Sequence, residues 1–175
     1  GNCLQRKHKD GKVSYYKYVL ECKLVVGNIV ISLDSEFIEN KKMLTEKQKQ
    51  DCETNAFKRM IKRIKKNYPK YKFIITGDGL YATTLIINIC KKYHWFYIFN
   101  LKPDRLKDVN DAFEGNIKLL NETTKTNYFL SSNIEFNKNI LNVFKYIESK
   151  KNKTITFRYI SNIQVNDDNI DKVVK

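Results

Sequence analysis

Long apolar runs are missing from this chain of 175 residues. The longest, such as Leu24-Val-Val26 and Leu85-Ile-Ile87, fall far short of the ~20 residues that cross a bilayer as a helix. Gly1-Asn-Cys-Leu-Gln-Arg6 has no apolar core of the kind a secretion signal carries. A soluble, cytoplasmic protein is expected. Cysteine is sparse, and Cys3, Cys22, Cys52 and Cys90 form no Cys-x-x-Cys pair, so neither a disulfide framework nor a zinc site is written in the spacing. Cys3 and His8 would be two ligands where a structural zinc site takes four. Acidic residues are short as well: 19 Asp+Glu stand against 33 Lys+Arg, a formal net charge of +14. Such an excess favours polyanions through counterion release, which makes nucleic acid the natural partner. Most of the basic residues are Lys, in company with much Asn, Ile, Tyr and Phe, a mix that an AT-rich genome also produces.

With 42% hydrophobic and 13% aromatic residues, the chain has the apolar content to bury a core, and its length suits one domain. Val13 to Val26 is rich in β-branched and aromatic residues and predicts one long strand. Gly27-Asn28 then predicts a turn, and Ile29 to Ile38 the return strand of a hairpin. Asn40 to Lys49 is polar and reads as a loop. From Asp51 the apolar residues Cys52, Ala56, Phe57, Met60, Ile61 and Ile64 recur at helical spacing, and Pro69 marks a stop. Lys58, Arg59, Lys62, Arg63 and Lys66 form a basic face on that helix, read as solvated. Lys72 to Thr76 predicts a short strand, the pattern Leu80, Leu85, Ile86, Ile89, Cys90 a second helix, and His94 to Leu101 another strand. This alternation signals parallel pairing through a crossover, an α/β class. His94 lies near a helix end and is expected to cap carbonyls. Val109, Ala112, Phe113, Ile117, Leu119 and Leu120 could support helical turns. Residues 121 to 153 are dominated by Asn, Lys, Thr and Ser, with apolar clusters at Tyr128-Phe-Leu130 and Ile140-Leu-Asn-Val-Phe144, and read as an insertion to which the sequence assigns no structure. Thr154 to Ile160 alternates like a strand, and Asn166-Asp-Asp168 is a plausible helix start.

The stretch Phe73-Ile-Ile-Thr-Gly-Asp-Gly-Leu-Tyr-Ala82 sets a lone carboxylate, Asp78, between two glycines where an apolar run ends. Ligands collect at the carboxyl ends of parallel strands in α/β proteins. Gly-Asp-Gly is equally ordinary turn chemistry, with Asp bonding its own backbone and Gly supplying positive φ. Tyr81, Lys102 and Arg105 follow the two strand ends nearest Asp78 and could touch phosphates, which fix position without reading sequence. Asp34 and Glu36 share one strand face and, with Asp78, could form another nuclease-like carboxylate set; Glu39 lies nearby.

Four segments in order, Glu36-Phe-Ile-Glu-Asn40, Lys49-Gln-Asp-Cys-Glu53 with Ala56-Phe-Lys-Arg59, Gly77-Asp-Gly-Leu-Tyr-Ala82 and Trp95-Phe-Tyr-Ile98, resemble the ribonuclease H-like catalytic domain of DDE transposases of bacterial insertion sequences. The resemblance runs from about Tyr15 to Arg105 and returns at Thr154 to Val165. It implies a single partial catalytic domain truncated at both ends: core 13–105, an Asn/Lys-rich insertion 106–153, and the last core strand with the start of a helix at 154–175. The implied fold is a mixed sheet with an antiparallel hairpin, parallel strands and flanking helices. The implied chemistry is DNA strand cleavage and transfer at two divalent ions, Mg²⁺ or Mn²⁺, held by three carboxylates. Asp78 matches the middle carboxylate and is the implied catalytic and metal-binding residue. No match to the first Asp or the last Glu is present, and Lys9-Asp-Gly-Lys12 reads as a turn, so the chain alone is expected to be inactive. In such a sheet the missing first strand lies between the hairpin and the strand carrying Asp78. Its absence would expose open edges and favour self-association. A basic, non-catalytic nucleic-acid-binding module is the alternative.

Overall fold

A computed structural model describes residues 4–38, 46–123, 125–150 and 153–174. Cys3, Glu39 and the first part of the expected loop, residues 40–45, lie outside them. The chain divides into two compact units, Gly1–Tyr71 and Lys72–Lys175.

In the first unit, β1 (Leu4–Lys7) pairs antiparallel with β2 (Val13–Tyr16), and β3 (Tyr18–Val26) with β4 (Ile29–Ile38). The expected long strand 13–26 is therefore two strands. Apolar alternation carries on through Lys17 while the hydrogen-bonding partner changes, and alternation says nothing about partners. The turn expected around Asp10 is present: Gly11 has φ +80°, and Lys12 N donates to Asp10 Oδ1 at 3.1 Å. Gly27, φ +57°, turns the second hairpin. The register slips between Cys22 and Lys23, leaving Leu33 as the extra residue of a bulge on β4. Helix α1 (Glu46–Asn67) begins inside the segment expected to be a loop, and packs along β4 and β3. Its stripe of Ala56, Phe57, Met60, Ile61 and Ile64 is buried as the spacing predicts, while the Cys52 side chain is outside the described residues.

The second unit holds one six-stranded sheet in the order β5-β6-β10-β9-β8-β7. β5 (Ile74–Gly77) and β6 (Phe96–Asn100) are parallel, joined through α2 (Thr84–Tyr93), as expected of an α/β chain. The helix starts later than its apolar pattern suggests. Thr83 caps it, its hydroxyl accepting from Ile86 N at 3.4 Å, and Leu80 falls in the preceding turn. His94 closes the helix with its backbone in the left-handed region, φ 55°, its N–H reaching Lys91 O at 3.1 Å. The ring is not what caps.

After α3 (Lys107–Gly115), strands β7 (Lys118–Glu122), β8 (Thr126–Phe136), β9 (Asn139–Lys150) and β10 (Lys153–Ser161) pair antiparallel in succession, and β10 returns to lie antiparallel beside β6. The segment read as an insertion, with no structure assigned to it, thus supplies half the strands of the main sheet. Ile117, Leu119 and Leu120 belong to β7 and its approach, not to helical turns. On one face Tyr97, Phe99, Val143 and Ile160 are buried; on the other, Tyr128, Phe144, Val165 and Ile170 form a cluster against which Ile98, Leu130 and Tyr159 pack. The C-terminal helix α4 (Ile170–Val174) is preceded by reciprocal bonds between Asn166 and Asn169, each backbone N–H meeting the other's side-chain oxygen. The molecule is therefore α/β with a mixed sheet and flanking helices. The antiparallel hairpin β3-β4 forms a sheet of its own, and the antiparallel part of the mixed sheet comes from residues 118–161. Among the described residues, no helix is long and apolar enough to cross a membrane.

Candidate functional site

β5 and β6 run in the same direction, so the loops that follow them, 78–83 and 101–106, emerge at the same end of the sheet. Two glycines bring them together. A Cβ on Gly77 would stand 2.9 Å from Cδ2 of Tyr81, so the bare glycine lets that ring fold back onto the strand end. A Cβ on Gly79 would stand 3.2 Å from both Asn100 O and Cγ of Lys102, so this glycine lets the first loop lie against the second. Neither has positive φ. The expectation that these glycines supply unusual backbone conformation is thereby corrected: they supply room.

Between them Asp78 is exposed, and its Oδ1 accepts from Leu80 N at 2.8 Å. The carboxylate thus stabilises its own turn, as the local reading allowed, and also stands at the carboxyl end of a parallel pair. Lys102 is exposed and lays its stem against Gly79; Tyr81 is half-buried on Gly77. Arg105 sits in the same loop as Lys102, its N–H bonded to Lys102 O at 3.1 Å. Asp78, Tyr81 and Lys102 are gathered at the two glycines, and Arg105 joins them through its loop.

The sequence reading missed what holds that second loop. Asn110, buried on α3, donates its side-chain amide to Lys102 O at 3.2 Å and to Arg105 O at 2.6 Å. Its oxygen accepts from Arg158 on β10, whose guanidinium also bonds Glu114 and lies 4.7 Å over the Phe113 ring. Arg158 O takes the N–H of Leu101 at 2.8 Å. One arginine thereby ties the loop after β6 to α3 and β10. The available signal was an arginine inside the alternating run Thr154 to Ile160, in a chain whose cations are almost all lysine. Near the far end of α2, where its carbonyl accepts from Trp95 N at 2.9 Å, burial pushes the Cys90 thiol up to about 12, which leaves it unreactive.

Asp34 and Glu36 are engaged otherwise. Arg63 donates Nε to Asp34 Oδ2 at 3.0 Å and Nη2 to Oδ1 at 3.1 Å, and its Nη1 bonds Glu36. Arg59 Nε reaches Glu36 Oε1 at 2.6 Å. Burial raises the Glu36 carboxyl, but the bonds and charges of Arg59 and Arg63 outweigh it and leave the group below its ordinary range. The pairs brace β4 against α1. Two residues of the expected solvated basic face, Arg59 and Arg63, are thus ion-paired, and the two carboxylates are committed to them.

Among the described residues no three His, Cys, Asp or Glu side chains gather into a metal-binding group. Asp78 alone does not fit a pair of divalent ions, which needs several carboxylates in fixed geometry. No family model matches the chain, and no curated protein is similar to it.

Proposed function

We propose that this chain is part of a DDE-type transposase catalytic domain of ribonuclease H-like fold, acting on DNA in the cytoplasm, with Asp78 as one ligand of a Mg²⁺ or Mn²⁺ centre. The observation that carries the reading is the juxtaposition at Gly77 and Gly79. A lone carboxylate and a lysine lie at the carboxyl ends of two parallel strands, the position where α/β sheets mount ligands. Asp78 would take the metal; Lys102, Arg105 and Tyr81 would meet the phosphates and hold the strand in register. With a single carboxylate at the site, the chain by itself is not expected to cut DNA.

Paramagnetic Mn²⁺ added to isotope-labelled protein tests this. The amide signals of residues 77–81 and of Lys102 should broaden first, and Asp78→Asn should remove the effect. Broadening centred elsewhere, or unchanged in the variant, sinks the reading, as does plasmid nicking that persists in Asp78→Asn. A second reading, a basic nucleic-acid-binding module without chemistry, is favoured by the net charge of +14. It is distinguished by DNA binding that needs neither metal nor Asp78.

A further inference from the structure

From Thr54 to Tyr71 the chain carries Lys58, Arg59, Lys62, Arg63, Lys65, Lys66 and Lys70, and no carboxylate. An exposed helix face is ordinarily charged, but with both signs interspersed. Here the structure separates the cations into two groups. Arg59 and Arg63 point to the hairpin, where Asp34 and Glu36 neutralise them. Lys58, Lys62 and Lys66 recur every four residues on the side of α1 opposite its buried stripe, about 6 Å apart along the axis. None of the three, nor Lys70, has an acidic partner among the described residues. Just past the helix end, Tyr68 and Tyr71 are 36% and 65% exposed, and their rings meet edge to face at 6.2 Å. Lysines in a row followed by an exposed aromatic ring are the means by which proteins hold unpaired nucleic acid: phosphates on the cations, a base on the ring.

We infer that the outward face of α1, with Tyr71 at its end, is a docking surface for single-stranded nucleic acid. Lys58, Lys62 and Lys66 take successive stretches of the backbone, and Tyr71 stacks on an unpaired base. The surface does not depend on Asp78 or on any metal, and it serves equally whether or not the proposed strand-transfer reading holds.

The test uses the whole chain in EDTA, so that metal chemistry plays no part. A fluorescent oligothymidine of about twelve nucleotides spans one such site. Its binding is followed by anisotropy between about 50 and 200 mM salt. The variant Lys58→Gln/Lys62→Gln/Lys66→Gln should flatten the dependence of log K on log salt by about 2, the share of three single-strand phosphate contacts. The variant Lys118→Gln/Lys125→Gln/Lys153→Gln removes the same charge elsewhere and should leave the slope within about 0.5 of the parent. Tyr71→Ala should weaken the oligothymidine about tenfold, Tyr71→Phe hardly at all, and duplex DNA should notice neither. Asp78→Asn should bind as the parent does, so a failure here is separable from a failure at the Asp78 site. Equal slopes for the two triple variants, no effect of Tyr71→Ala, or duplex or polyglutamate competing as well as the single strand would each overturn the inference. Circular dichroism of each variant establishes that the fold is kept.

Discussion

Five arginines stand among 28 lysines in this chain, and three of them, Arg59, Arg63 and Arg158, are held by carboxylates or amides in fixed geometry. A planar, forked guanidinium can bond two oxygens at once; a lysine ammonium cannot. Arg63→Lys should therefore recover only part of what Arg63→Ala loses, a loss of about 1 kcal/mol in urea unfolding once solvent screening is allowed for. The same bridge gives a pH signature. Glu36 has its folded carboxyl held below the ordinary glutamate value, so its stabilising share is complete above that value and disappears as the pH falls through the depressed one. Glu36→Gln should be less stable than the parent at neutral pH. The difference should close below about pH 4, and a gap unchanged into acid would contradict the bridge. At this scale the sequence was half legible. Asp34 and Glu36 could be placed on one face from the period of the strand, but the partner on that face lay 23 to 29 residues away, beyond any local pattern.

The elements divide by how they are buried. β5, β6 and α2 were legible because each is short, apolar and bounded by clear stops, and β10 because its polar and apolar residues alternate. β9 was not, since the central strand of the antiparallel half is covered on both faces over Leu141 to Phe144 and so shows no alternation. Its asparagines also read as loop residues. Asn139 donates to Asn88 on α2 at 3.0 Å, and Asn142 to Ile163 O at 2.7 Å, so both are buried with partners that only the folded chain supplies. The β8-β9 turn is made by Asn137 and Lys138 with positive φ, which no glycine announced. Asn110 is the functional counterpart of these amides. Asn110→Leu keeps its bulk but strands the carbonyls of Lys102 and Arg105 and the Arg158 guanidinium, and should cost about 2–3 kcal/mol. Hydrogen exchange should locate the loosening in residues 101–106. Loss of stability with those amides still protected would mean that Asn110 does not hold the loop.

For the molecule as a whole, charge and topology pull in different directions. A net charge of +14 keeps copies apart, whereas β5 is the last strand of its sheet, and on that margin Ile74 and Phe96 are 56% and 43% exposed. Unpaired strand edges with apolar side chains invite pairing. Self-association should grow with added salt as the repulsion is screened. Ile74→Lys should suppress it, as followed by sedimentation velocity, and salt-independent behaviour, or dimers untouched by the substitution, would dismiss the edge as the cause. The α/β class and the parallel pair followed from the order of apolar segments. The two-unit division and the separate β3-β4 sheet did not, because they depend on which strands share hydrogen bonds, not on any one strand's composition.

The chain's single tryptophan sits where β6 begins. Trp95 is buried between Phe73 and Tyr93, ring centroids 5.1 and 5.3 Å away, with its carbonyl taken by the Asn162 amide. The Asp78 loop lies at the other end of the same strands, roughly 16 Å along at the usual rise per residue. Intrinsic fluorescence is therefore a lamp at the wrong end of the corridor: it dims when the sheet opens and stays steady when something binds at Gly77 to Tyr81. A flat emission titration with metal or oligonucleotide says nothing about occupancy, and a tryptophan placed in the 101–106 loop is the reporter that would see it.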